Sequence, residues 1–200
     1  MRRLSTLLLA GLLAACGGGE VSAPDLAEGS YTGAVTLDGQ LYRFTAFYDA
    51  DGGAEVLLNG EQEKTTALAR RSSRLFPWQG VALQQAVLFA SQRSARLTAL
   101  NADSQAGDYR TLLDDTPLSL TLTRAGRFAG RTEQGCLLVG HWKTRPLAEA
   151  RKVGLTLLHC GERDGHYRGV LFADPYQAPA LHLVADNGTA IVDLLLQPQG

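Results

Sequence analysis

The side chains that carry most biological chemistry are scarce in this chain: three cysteines and four histidines among 200 residues. Cys136 and Cys160 bracket His141 and His159, and His166 follows closely. A disulfide and a soft metal site both draw on such residues. Alternation along a strand opposes the metal. His159 and Cys160 are adjacent, and Cys136 and His141 are five apart, so each pair would face opposite ways. The two thiols then either pair with one another or stay free. The fourth histidine, His182, alternates with Leu181 and Leu183 and is expected on the wet face of a strand, while His166 falls in a turn motif. No Gly-x-Ser-x-Gly elbow, His-Glu-x-x-His pair or phosphate-binding loop occurs. The carboxylates Asp114-Asp115 lie in turn-forming sequence, where side-chain hydrogen bonds to the backbone account for them. Catalytic residues, a metal and a cofactor are therefore not expected.

The elements that must position these residues are strands. Leu118, Leu120 and Leu122 alternate with Ser119, Thr121 and Thr123, and Tyr42, Phe44, Ala46 and Tyr48 alternate with Leu41, Arg43, Thr45 and Phe47. Turn chemistry separates such runs at Asp49-Ala50-Asp51-Gly52-Gly53, at Asp114-Asp115-Thr116-Pro117 and at Asp186-Asn187-Gly188-Thr189. The last lies between two apolar runs and signals a hairpin. About ten to thirteen short strands follow from this count, in an antiparallel β-sandwich or barrel. One short helix within 61–95 is also expected. Gly-x-aromatic-x-Gly recurs at Gly29-Ser30-Tyr31-Thr32-Gly33, Gly126-Arg127-Phe128-Ala129-Gly130 and Gly165-His166-Tyr167-Arg168-Gly169, with a partial copy at Gly107-Asp108-Tyr109-Arg110-Thr111. No helix follows to make a phosphate cradle, so the motif reads as structural. The first glycine closes a turn, the aromatic points to the core, and the second glycine leaves room.

The first residues belong to export rather than to the fold. Met1-Arg2-Arg3 is positive, and Leu4–Leu13 is an apolar stretch too short to span a bilayer. It ends in Leu13-Ala14-Ala15-Cys16, which resembles the lipobox of bacterial lipoproteins. The resemblance implies a signal peptide over 1–15, lipid attachment at Cys16, a tether over 16–28 and a single β-rich domain over 29–197. Gly17 rather than Asp after the cysteine implies the outer membrane, with the domain facing the periplasm or the cell surface. Several acyl chains make a firm anchor, each buried methylene adding about 0.8 kcal/mol. An exported chain with two cysteines left over favours the Cys136–Cys160 disulfide.

Removing 1–15 leaves 17 basic and 20 acidic residues, a balance of −3. That charge does not indicate a nucleic-acid partner. Its distribution is uneven. Lys64, Arg70, Arg71, Arg74, Arg93 and Arg96 occur between 64 and 102 without one acid, and Phe76, Trp78 and Phe89 are interleaved. Arg70, Arg71, Arg74, Trp78, Arg93 and Arg96 thus form a candidate patch for an envelope protein or an anionic surface, opposed by the reading that they are merely solvated and apart.

Tyr167-Arg168-Gly169-Val170-Leu171 and the later Asp186-Asn187-Gly188 resemble the small barrel of outer-membrane lipoproteins linked to copper stress and surface sensing. That family carries Cys-x-x-Cys where this chain has Phe172-Ala173-Asp174-Pro175, so metal binding does not carry over. The expectation is a lipid-anchored, non-enzymatic binding or envelope-support module. Two alternatives stand beside it: an apolar-ligand carrier using a barrel interior, and a hydrolase whose site is assembled from distant residues.

Overall fold

Alternation of this kind folds into fourteen antiparallel strands among the described residues, which in this computed structural model are 20–199 without 61, 62, 96, 148 and 175–179. The first six are β1 (Gly29–Leu37), β2 (Gln40–Tyr48), β3 (Ala54–Asn59), β4 (Thr65–Arg71), β5 (Gln79–Val81) and β6 (Phe89–Ser94). They form one open sheet in the order β5-β4-β3-β2-β1-β6. The other eight are β7 (Gly107–Leu113), β8 (Thr116–Leu122), β9 (Arg127–Thr132), β10 (Leu137–Leu147), β11 (Ala150–Leu158), β12 (Gly165–Ala173), β13 (Leu181–Asp186) and β14 (Ile191–Pro198). These close into a barrel in the order β10-β11-β12-β13-β14-β7-β8-β9. The count exceeds the expected range because three-residue β5 is too short to show a period.

An eight-stranded barrel is just wide enough for side chains to fill it. Here Leu118, Leu120, Leu122, Phe128, Leu138, Leu155, Leu183 and Leu194 meet inside with others in one buried cluster. The repeated glycine motif supplies its aromatic anchors. Tyr109, Phe128 and Tyr167 are buried, and the hydroxyls of Tyr109 and Tyr167 donate to the carbonyls of Gln105 and Arg163, four residues upstream. Tyr31 does the same to Ala27 in the open sheet. The second glycine is sterically required in all three full copies. A Cβ on Gly33, Gly130 or Gly169 would lie 2.0, 2.6 or 1.9 Å from a carbonyl oxygen of the neighbouring strand.

The open sheet buries both faces. Phe47, Leu57, Leu68 and Val81 pack on Val170, Phe172 and Val184 of the barrel wall. The opposite face, with Val35, Phe44, Ala46, Tyr48, Val56 and Leu58, is covered by Val21, Ala23, Leu26, Leu83 and Val87. Described residues 20–28 are thus part of the fold rather than of a free tether. Ser22 bridges to Ala86, its carbonyl accepts from Val87 N at 2.7 Å, and Pro24 O accepts the Tyr48 hydroxyl at 2.7 Å. These residues cover apolar surface that would otherwise face water.

The helix expected within 61–95 is also corrected. The described residues of that stretch are strands and connecting chain, and the two short helical pieces described, α1 (Ala102–Gln105) and a 3-10 turn at Gly161–Arg163, both come after it. Strand β4 sends Ala67 and Ala69 to one core and Leu68 to the other, which erases the alternation. Leu83 and Val87 share one face, four apart, because the chain runs across the sheet and not because it coils.

Candidate functional site

The described residues of the candidate patch do not all share one surface. Arg70 and Arg71 are consecutive on β4 and point to opposite faces. Arg70 faces the barrel, is 7% exposed, and binds Asp186 through both terminal nitrogens, one of them at 2.8 Å. Arg71 faces the other way, pairs with Asp25, donates to Gly52 O at 2.7 Å and lies 4.7 Å from the Trp78 ring. Arg74 is exposed in the loop after β4 with its stem against Gly52. Arg93 is on β6, the far edge of the sheet from β5, and donates to Thr32 Oγ1 at 3.4 Å. Arg96 and Cys16 lie outside the described residues. A run of like charge in sequence is dispersed because a sheet deals its residues to two faces and two edges.

Cys136 and Cys160 form the disulfide. Cys136 precedes β10 and Cys160 follows β11, and the pairing of Leu137 with Leu158 brings the two together.

The chemistry gathers instead at the joint between sheet and barrel. Outward positions of β13 are His182, Val184 and Asp186, while Leu181, Leu183 and Ala185 fill the barrel. The open sheet covers this outer face, so His182 is 5% exposed rather than on the wet face its alternation predicts. Its Nε2 lies 2.7 Å from Asp193 Oδ1, and its Nδ1 lies 3.4 Å from Asp174 Oδ2. Asp193 Oδ2 also accepts Thr65 N from β4 at 2.6 Å, which ties the sheet to the barrel. Burial alone would depress the imidazole, but hydrogen bonds and charge from Asp174 and Asp193 outweigh it and hold His182 at about 9. Beside this triad opens a cleft of about 420 Å³, lined also by Lys64, Arg110, Leu112, Leu195 and Gln197.

Further along the joint, burial pushes the Glu55 carboxyl up to about 7 against the opposing pull of Arg70. Arg70 Nε is buried without a hydrogen-bond partner among the described residues. The seam therefore holds charges of both signs removed from water and arranged in pairs.

These groups dictate what the cleft can do. An imidazolium with both nitrogens engaged by carboxylates carries no lone pair to take a proton from a substrate. The cleft offers charges of both signs at Lys64, Arg110 and Glu63 and apolar surface at Leu112 and Leu195, which suits binding. No motif marks Asp174, Asp186 and Asp193 as site residues. The available signal was an acid at an outward position whose outward neighbours are apolar, as in Ile191-Val192-Asp193-Leu194-Leu195. Such a pattern marks a wall covered by something else. Comparison with protein-family models, with curated proteins and with solved structures gave no match for this chain.

Proposed function

We propose that this chain is a lipid-anchored protein of the bacterial outer membrane, attached through Cys16, that acts as a non-enzymatic binding module and meets its partner at the joint cleft. The observation that carries the reading is the clamped His182. It lines the cleft together with Asp174 and Asp193, and these carboxylates occupy both of its nitrogens. Leu112, 53% exposed on the cleft floor, is the apolar surface a partner would cover. The carrier alternative loses support from the barrel interior, which is packed with leucine and aromatic side chains. The hydrolase alternative needs a free base beside a nucleophile, and the described lining offers a single aliphatic hydroxyl, Thr111, and a histidine whose nitrogens are both engaged.

A photo-reactive residue placed at Leu112 in cells is expected to capture one envelope component. Capture should vanish with Lys64→Glu plus Arg110→Glu, and the same probe at exposed Leu41 should not yield it. Equal adducts from both positions would refute the cleft as the meeting place. Mass spectrometry of the mature N-terminus tests the anchor separately: diacylglyceryl on Cys16 is expected, and an unmodified Cys16 would remove it.

A further inference from the structure

The barrel wall that the open sheet leaves uncovered carries a second concavity, a trough of about 680 Å³ with Arg127, His141, Thr156 and His166 as its principal polar lining. Strand pairing sets these groups in two adjoining rows. Arg127, His141, Gly154 and Arg168 lie side by side across β9 to β12, and Ala129, Val139, Thr156 and His166 form the next row. Outward positions nearby add Arg131 and Lys152, and the described outward residues within β9 to β12 include no acid. Lys152 is paired with Asp49, but the Arg127 guanidinium and the His141 ring have no hydrogen-bond or ion-pair partner among the described residues. Thr156 Oγ1 lies 2.9 Å from His166 Nδ1, which leaves Nε2 of that ring for another group.

Gly154 adds an independent pointer. Glycine inside a strand is unfavourable and marks a bulge or the close approach of a backbone or ligand. At Gly130, Gly140 and Gly169 a Cβ would come within 2.6 Å of neighbouring atoms, so the fold itself demands glycine. At Gly154 a Cβ would meet only His141 Cε1, at 3.8 Å, and the backbone is not in the left-handed region. The fold does not require glycine there. What the missing side chain supplies is the floor of the trough.

We propose that this trough binds a phosphorylated saccharide, its phosphate held by Arg127 and His141 and its sugar ring laid over Gly154 against Thr156 and His166. A guanidinium fork suits phosphate oxygens, and a hydroxyl beside an imidazole suits sugar hydroxyls. The volume exceeds what a lone phosphate needs and falls among small-molecule sites. The site is distinct from the joint cleft and requires no lipid anchor.

Calorimetric titration of the full chain carrying Cys16→Ser, with no acyl chain to contribute, tests it. Glucose 6-phosphate is expected to bind saturably and glucose not to. Arg127→Gln and Gly154→Val should each weaken binding about tenfold or more, the loss of one charge-assisted contact or of the floor. Gly154→Val should keep or raise the melting temperature, since a Cβ there meets only His141 Cε1 at 3.8 Å and valine favours a strand. That separates blocked binding from lost folding. The proposal is overturned by unchanged affinity in Gly154→Val or by absence of saturable glucose 6-phosphate binding. It is equally overturned if inorganic phosphate binds as tightly as the sugar phosphate, or if only phosphatidylglycerol vesicles are bound.

Discussion

Arg70 and Asp186 leave water together, and each is the other's compensation. Asp186 is fully buried and also accepts Gly188 N at 2.9 Å, while its cross-strand neighbour Arg168 is engaged by Gln79. Arg70→Ala is expected to cost about 3–5 kcal/mol, most of it the penalty of a stranded carboxylate. Chemical denaturation measures this, and a cost under about 1 kcal/mol would mean that water reaches Asp186. Two other residues at the joint give the protein a pH signature. Glu55 is raised from 4.5 to about 7 and His182 from 6.5 to about 9. In both, the folded state binds its proton more tightly than the unfolded state. The stability each contributes is complete below its unfolded value and disappears as pH rises through its folded value. Melting temperature should therefore fall in two windows, between pH 4.5 and about 7 for Glu55 and between pH 6.5 and about 9 for His182. Glu55→Gln should flatten the lower window and His182→Gln the upper one. A profile that neither substitution alters would show that the two groups titrate alike folded and unfolded.

At the scale of elements, what could be read from residue types was local. The turns at Asp114-Asp115 and Asp186-Asn187-Gly188 join β7 to β8 and β13 to β14 because positive φ at both aspartates and at Gly188 suits tight hairpins. The glycine-aromatic motif declared its own packing, since a tyrosine hydroxyl and a missing Cβ act on immediate neighbours. What was hidden is which second element covers an outward face. Alternation assigns His182 correctly to the outside of the barrel, but nothing near position 182 announces that β4 lies across it. The disulfide is legible because two cysteines remain in a chain whose start reads as an export signal, while strand alternation opposes the competing metal. It closes a loop of 24-residue separation across the ends of β10 and β11. Cys136→Ser with Cys160→Ser is expected to cost about 3–4 kcal/mol, mainly through a less constrained unfolded chain. Denaturant titration of the double variant and of reduced wild-type protein should agree. A clear disagreement would point to contacts of the serines rather than to the cross-link.

For the whole molecule, the question is whether the open sheet and the barrel fold as one. Net charge is a poor guide, because the described members of a stretch with six basic residues and no acid are spread over opposite faces, a loop and the far edge of one sheet. The contacts between the two parts are a better one. The Phe47 ring lies tilted 5.0 Å from that of Phe172, Arg70 binds Asp186, Lys152 binds Asp49 at 3.1 Å, and Asp193 receives Thr65 N. A buried charge pair whose partners come from the two parts cannot open without exposing both ions unpaired, which raises the cost of partial unfolding. The protein has two tryptophans, and each reports on one part: Trp78 packs with the sheet core and Trp142 with the barrel core. Variants carrying Trp78→Phe or Trp142→Phe leave a single probe in each part. Their fluorescence transitions in denaturant are expected to coincide, as two-state unfolding requires. Phe47→Ala opens a cavity in the shared core and should shift both transitions equally, by about 3–5 kcal/mol. If it shifts only the Trp78 transition, the barrel stands without the sheet, and the joint is a docked interface rather than a common core.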